Sequence, residues 1–171
     1  VNQTLVLTVL SNDRPGIVKE LSEVLNEYDG NWTDSRMIHL AGKFAGLLKA
    51  SVPDENADPF IADLHNLQDD GLEIAVELVT EEEAESEFQT LSLEVVGPDT
   101  PGIINAITRK LTQLHVNIQE LESKQRPAPM SSELMFYAKL TLGLPEDISP
   151  EQVQEALEDM PNQLMVDLNF S

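Results

Sequence analysis

The sequence predicts an α+β protein of two similar units in tandem, each running strand, helix, strand, strand, helix, strand. Three observations carry that expectation. The stretch LVLTVLSNDRPGIV at residues 5–18 reads as a buried strand, a hard turn and the start of a helix. The same stretch recurs, with Leu5 and Leu91, Asp13 and Asp99, and Pro15 and Pro101 all 86 positions apart. After each copy the hydrophobic spacing passes through the same series of helical and alternating patterns. A long period present twice means a duplicated domain, not a solenoid of short repeats.

In the first copy, Leu5, Leu7 and Val9 alternate with Thr4, Val6, Thr8 and Leu10, as a largely buried strand does. Pro15 suits the first turn of a helix, where its missing N–H is no loss. Gly16 leaves the backbone bare, so a small molecule can approach the first helical amides, which with the helix dipole favour a carboxylate or phosphate. Ile17, Leu21, Val24 and Leu25 give the inward face of a helix over 16–28. Gly30 is expected to take a left-handed conformation at its end. Residues 31–40 and 43–52 read as two strands turning at Ala41 and Gly42. Residues 53–58 read as a loop, and 59–68 as a helix with Pro59 near its first position. Residues 72–79 alternate as a closing strand.

Residues 80–87 (TEEEAESE) are acidic and without period, and read as a linker, with a short helix as the competing reading. The expected division is therefore domain 1 over 1–80, an acidic linker over 81–88 and domain 2 over 89–171. In the second copy, strands are expected at 90–96, from 117 to 123, at 133–142 and at 163–170, with helices at 102–114 and 150–160. Residues 124–131 hold Pro127 and Pro129 and read as a long hairpin loop. This order is the ferredoxin-like split βαβ arrangement, an antiparallel sheet carrying both helices on one face.

Composition narrows the function classes. The formal net charge is −21, and both halves are acidic: 5 Lys/Arg against 18 Asp/Glu in the first 85 residues, 5 against 13 in the rest. Such a chain repels phosphate backbones, so neither nucleic acid nor an anionic membrane is an expected partner. The charge serves solubility, or else an acidic face meets a basic protein. There is no cysteine, which suits a reducing, cytoplasmic setting. No apolar run reaches the length of a membrane span, and no signal-peptide pattern opens the sequence. No catalytic set is evident. His39, His65 and His115 lack ligand-like spacing, no calcium or phosphate-binding loop occurs, and neither cofactor nor metal is expected. Trp32, Phe44, Phe60 and Phe136 read as core or interface residues rather than a stacking platform.

The corner D-x-P-G-I after the first strand of a βαββαβ module, with Asn opening the second strand, resembles the ACT domain, a small regulatory module that in many relatives senses amino acids. Both halves carry it: Asp13, Pro15, Gly16, Ile17 and Asn31, then Asp99, Pro101, Gly102, Ile103 and Asn117. A tandem pair with nothing else resembles the glycine cleavage system transcriptional repressor family, whose members are thought to act with a DNA-binding activator rather than by binding DNA.

The resemblance implies ligand sites shared between modules. One would join Asn12, Asp13, Gly16 and Ile17 to Asn117. The other would join Asp99, Gly102 and Ile103 to Asn31. Helix-start amides would take a carboxylate, Asp13 or Asp99 an ammonium, and the Asn amide both a donor and an acceptor. The same Asp and Pro-Gly residues also serve simply to build the turn and cap the helix. Asn12 aligns with Pro98 and Gly30 with Val116, so the second corner is the less polar one. The expected function is non-enzymatic: sensing a small amino acid, glycine by resemblance, and modulating transcription of amino-acid metabolism genes through a protein partner such as a DNA-binding activator. Homo-oligomers are compatible with this reading. The alternative is a protein-interaction scaffold that keeps the fold without a ligand.

Overall fold

The computed structural model describes residues 1–79 and 89–169. The expected acidic linker and Phe170 lie outside them. The chain divides into two compact units, Val1–Glu85 and Ser86–Ser171. Unit 1 contains β1 (Asn2–Asn12), α1 (Ile17–Glu27), β2 (Asn31–Leu40), β3 (Lys43–Pro53), α2 (Asp54–Asn66) and β4 (Glu73–Leu78). Unit 2 contains β5 (Gln89–Pro98), α3 (Ile103–Gln113), β6 (Asn117–Pro127), β7 (Leu134–Leu144), α4 (Pro150–Glu158) and β8 (Met165–Asn169). Each unit has one antiparallel four-stranded sheet, ordered β2-β3-β1-β4 and β6-β7-β5-β8. The two units are thus βαββαβ folds of the ferredoxin-like kind.

The strand that leads into each corner is central in its sheet, and its period-two pattern decides which face is covered. Leu5, Leu7 and Val9 are fully buried and meet Ile17, Leu21 and Leu25 of α1 and Phe60 and Leu64 of α2 in one core. Leu91, Leu93 and Val95 do the same with Ile103, Ile107 and Leu111 of α3 and Val153 and Leu157 of α4. Burial on this scale contributes roughly 1.5–3 kcal/mol for each fully covered aliphatic side chain. The opposite sheet face is open in unit 1, where Leu10, Ile38, Leu40 and Leu47 are exposed. Both β2 and β6 carry a register shift at equivalent places, between Trp32 and Asp34 and between Ile118 and Glu120.

The structure departs from the sequence reading in three places. First, α2 starts at Asp54, so residues 54–58 are helical and Pro59 lies inside the helix. The early turn forms because Ala57 continues the buried face of Phe60 and Leu64. It is also tied down at both sides: the Asp54 N–H donates to the Val1 carbonyl (3.1 Å), and Asn56 Nδ2 donates to the Tyr28 carbonyl (2.9 Å). Second, the left-handed residue after α1 is Asp29 (φ 58), not Gly30, just as His115 (φ 57) follows α3. The N–H groups of Gly30 and Val116 close these helices on the carbonyls of Leu25 and Leu111. Gly30 instead gives Leu25 room, since a Cβ there would lie 2.2 Å from Leu25 Cδ1 in its present rotamer. Third, β6 continues through Lys124 to Pro127, which pairs with Leu134. Pro127 is tolerated because β6 is an edge strand and Pro127 is its last rung. The hairpin loop is correspondingly confined to 128–133.

Pro59 provides a test of the first departure. Inside the helix its ring crowds the Glu55 carbonyl and supplies no N–H to it. Pro59→Ala is expected to raise stability by about 1–3 kcal/mol in urea denaturation. A helix beginning at Pro59 would instead be weakened by that change. Phe60→Ala is expected to cost about 3–5 kcal/mol in the same measurement.

Candidate functional site

Each central strand ends at a corner whose backbone is set by a left-handed glycine. Gly16 has φ 91 and ψ 1, and Gly102 has φ 80 and ψ 10; each is the N-cap of the helix that follows, and no side chain caps either helix. A Cβ placed on either glycine would find nothing within 4 Å, so the space before both corners is open. The Gly16 carbonyl accepts from the Glu20 N–H (2.9 Å) and the Gly102 carbonyl from the Ala106 N–H (3.0 Å). The first-turn amides of α1 therefore start an intact helix yet meet no side-chain acceptor among the described residues. This is the electrostatic setting that favours an anion.

The first corner is the more polar and the less occupied. The Asp13 N–H donates to the Gly42 carbonyl (3.0 Å), which fixes the chain against the β2–β3 turn. The Asp13 carboxylate is exposed and has no hydrogen-bond partner among the described residues. Asn12 Oδ1 accepts from Lys43 Nζ (2.6 Å), which brings an ammonium to the rim. Arg14 is clipped to Glu20 by two hydrogen bonds of 2.7 and 3.3 Å, and also donates to the Asp70 carbonyl (3.4 Å). Donating to the Glu20 carboxylate, and lying beside its charge, raises the Arg14 pKa and keeps the guanidinium cationic. The corner thus presents a free carboxylate, an ammonium and bare amides around an empty space, the complement of a zwitterion.

The second corner is more self-contained. Pro98 stands where Asn12 does, and the Asp99 carboxylate is taken by Gln125 Nε2 from β6. The Ile103 N–H is turned onto the Thr100 carbonyl (3.3 Å), and Thr100 Oγ1 accepts from Asn162 Nδ2 (3.4 Å). Its polar groups therefore already have partners within unit 2.

Ile17 and Ile103 are 3% and 5% exposed and their side chains belong to the two cores, which leaves their backbone amides at the corners. Asn31 and Asn117 are exposed at the starts of β2 and β6. Neither is near its own corner. Asn31 lies in the row of Ser51 and Thr4, eight residues along the sheet from Asn12, about 27 Å at the rise of an extended strand. Asn117 lies in the row of Gly143 and Thr90, equally far from Pro98. Sequence reasoning missed Lys43 and Gln125. Both reach the corner across the sheet, Lys43 opposite Asn12 and Gln125 beside the row of Phe136 and Gly97, so the only available signal was strand register. Among the described residues no group of three or more His, Cys, Asp or Glu side chains is placed to hold a metal ion. His39, His65 and His115 are exposed and far apart in sequence. No helix among the described residues is long and apolar enough to cross a membrane.

A duplicated βαββαβ fold with a left-handed glycine at each strand–helix corner defines a class, and comparison agrees: the ACT domain family model matches residues 3–77. A UPF0237 protein of Methanosarcina acetivorans is 31% identical over 78 residues, 46% of this chain and 84% of that protein. The chain belongs to the ACT-domain family, as a tandem pair. Over its whole length it is similar to the glycine cleavage system transcriptional repressor of Escherichia coli (strain K12), at 25% identity across 162 residues, 94% of this chain and 85% of that protein. An unknown protein from Galdieria sulphuraria has the same fold, with a TM-score of 0.84, 27% identity and 98% of each chain covered.

The left-handed glycine predicts its own substitution series. Gly16→Ala is expected to lower stability by about 1–2 kcal/mol, from backbone strain alone, because the added methyl meets open space. Gly16→Asn, which tolerates left-handed backbone better, is expected to cost less. Thermal and urea denaturation of both variants check the order.

Proposed function

We propose that this chain is a non-enzymatic regulator that senses a small amino acid, glycine first, at the Gly16 corner. Through a protein partner, such as a DNA-binding activator, it then modulates transcription of amino-acid metabolism genes. One observation carries the reading: an open corner with bare helix amides, the Asp13 carboxylate, unpaired among the described residues, and the Lys43 ammonium. The amides of Ile17 and Val18 would take the ligand carboxylate with Lys43 beside it, and Asp13 would take the ammonium. The Asn117 amide would complete the pocket, as the resemblance implies. The Gly102 corner, its polar groups engaged, is the weaker site. Similarity to the Escherichia coli repressor across 94% of this chain supports a regulatory role. The net charge of −21 argues for action through a protein rather than on DNA. A ligand can shift only states that it binds with different affinity, so the amino acid would act by fixing how modules associate.

Calorimetric titration of the purified chain with glycine, serine and alanine tests this. Saturable heat is expected, with a matching rise in Tm by mass action. Asp13→Ala and Asn117→Ala are expected to remain folded and lose that response, and the chain alone is expected to leave promoter DNA unshifted at physiological salt. No heat with any amino acid would favour the scaffold alternative. An unaltered response in folded Asp13→Ala would move the site elsewhere.

A further inference from the structure

Duplication makes the outer faces of the two sheets directly comparable, row by row. In unit 1 one row reads Ile38, Ala45, Leu10, and the next Arg36, Leu47, Thr8. The equivalent rows in unit 2 read Lys124, Tyr137, Val96 and Glu122, Lys139, Glu94. The row that is wholly apolar in unit 1 thus carries a lysine and a tyrosine in unit 2. On that face of unit 2 lies a concave groove of about 210 Å³, floored by β5, β6 and β7 and rimmed by Lys124, Arg126, Lys139 and Tyr137.

Three of the ten cations of a chain with 31 acidic residues converge on this one groove. Two are only loosely paired: Lys124 Nζ is 3.6 Å from Glu122, and Lys139 Nζ is 4.0 Å from Glu94. Both distances exceed the ~2.7–2.9 Å of a charge-assisted hydrogen bond. Arg126 and the Tyr137 hydroxyl have no hydrogen-bond partner among the described residues. Three cations against two carboxylates leave one positive charge, which matches a monoanion. The volume lies below the ~300–1,000 Å³ of sites for drug-sized ligands, which suits a small molecule. Tyr137 and Val96, side by side on the floor, offer a flat apolar bed.

We propose that this groove is a second ligand site, for a small monocarboxylate with a flat or apolar body. The carboxylate lies against the planar guanidinium of Arg126 and the ammonium groups of Lys124 and Lys139, and the body rests on Tyr137 and Val96. Arg126 gives direction to the contact because its donors form a fork that fits a carboxylate. The groove is lined by residues of unit 2 and shares none with the Gly16 corner, and its occupation does not depend on amino-acid binding there.

The test is a titration of the full chain, followed by 15N–1H amide shifts, with sodium benzoate, inorganic phosphate and glycine as separate probes. Benzoate is expected to give saturable shifts confined to residues 94–96, 122–126 and 135–139. The double variant Lys124→Gln with Arg126→Gln, exposed positions on an edge strand, is expected to keep the parent spectrum and bind benzoate at least tenfold more weakly. Lys19→Gln, on α1, is expected to bind it unchanged. Shifts that do not saturate, or equal affinity in the double variant, would overturn the proposal. So would phosphate binding as tightly as benzoate, since that would show attraction to charge alone. Glycine reports at residues 13–19, so failure of the corner reading and failure of the groove are told apart in one data set.

Discussion

The backbone at Gly16 and Gly102 is the constraint on which both units depend. A central strand must turn within a few residues into a helix that packs back over the same sheet. The turn is made with a left-handed residue at the helix start, where an L side chain is strained. Glycine relieves the strain and at the same time removes the side chain that would otherwise stand before the first helical amides. The same atom-level choice therefore builds the fold and opens the corner. Ile17 and Ile103, one residue later, anchor the helix in the core, so the corner is a rigid rim on a packed base rather than a loose loop.

The two halves use that shared geometry differently. At the first corner Asp13 has no hydrogen-bond partner among the described residues, and Lys43 is drawn in by Asn12. At the second, Asp99 is satisfied by Gln125, and Thr100 binds both Ile103 and Asn162. A satisfied polar group has little to gain from a ligand, because any new hydrogen bond replaces an existing one. The outer sheet faces diverge in the same way, Ile38, Ala45 and Leu10 standing in unit 1 where Lys124, Tyr137 and Val96 stand in unit 2. Duplication supplied a second scaffold, and side chains on that scaffold separate the chemistry of the halves.

Much of this was legible in the sequence, for physical reasons. Strand alternation at Leu5, Leu7 and Val9 and helical spacing at Ile17, Leu21 and Leu25 report burial directly, and an 86-residue offset repeats both. What failed depended on context. Pro59 suits a first helical turn, but the burial of Ala57 and the bond from Asn56 to Tyr28 drew the helix five residues earlier. Gly30 looked like a left-handed terminator, yet Asp29 takes the positive φ, and the missing Cβ of Gly30 leaves room for Leu25. Pro127 looked like a loop residue, and only its place on an edge strand shows why it is tolerated. At the site, Lys43 and Gln125 arrive through strand register, which local periodicity does not encode.

The central claim is that an amino-acid carboxylate docks on the bare amides behind Gly16. Amide chemical shifts of the 15N-labelled chain, recorded as glycine is added to saturation, test it most directly. The largest saturable shifts are predicted at Ile17, Val18 and Lys19, with smaller ones at the helix start after Gly102. Saturation with those three amides unmoved, or no shift at any amide, would contradict it.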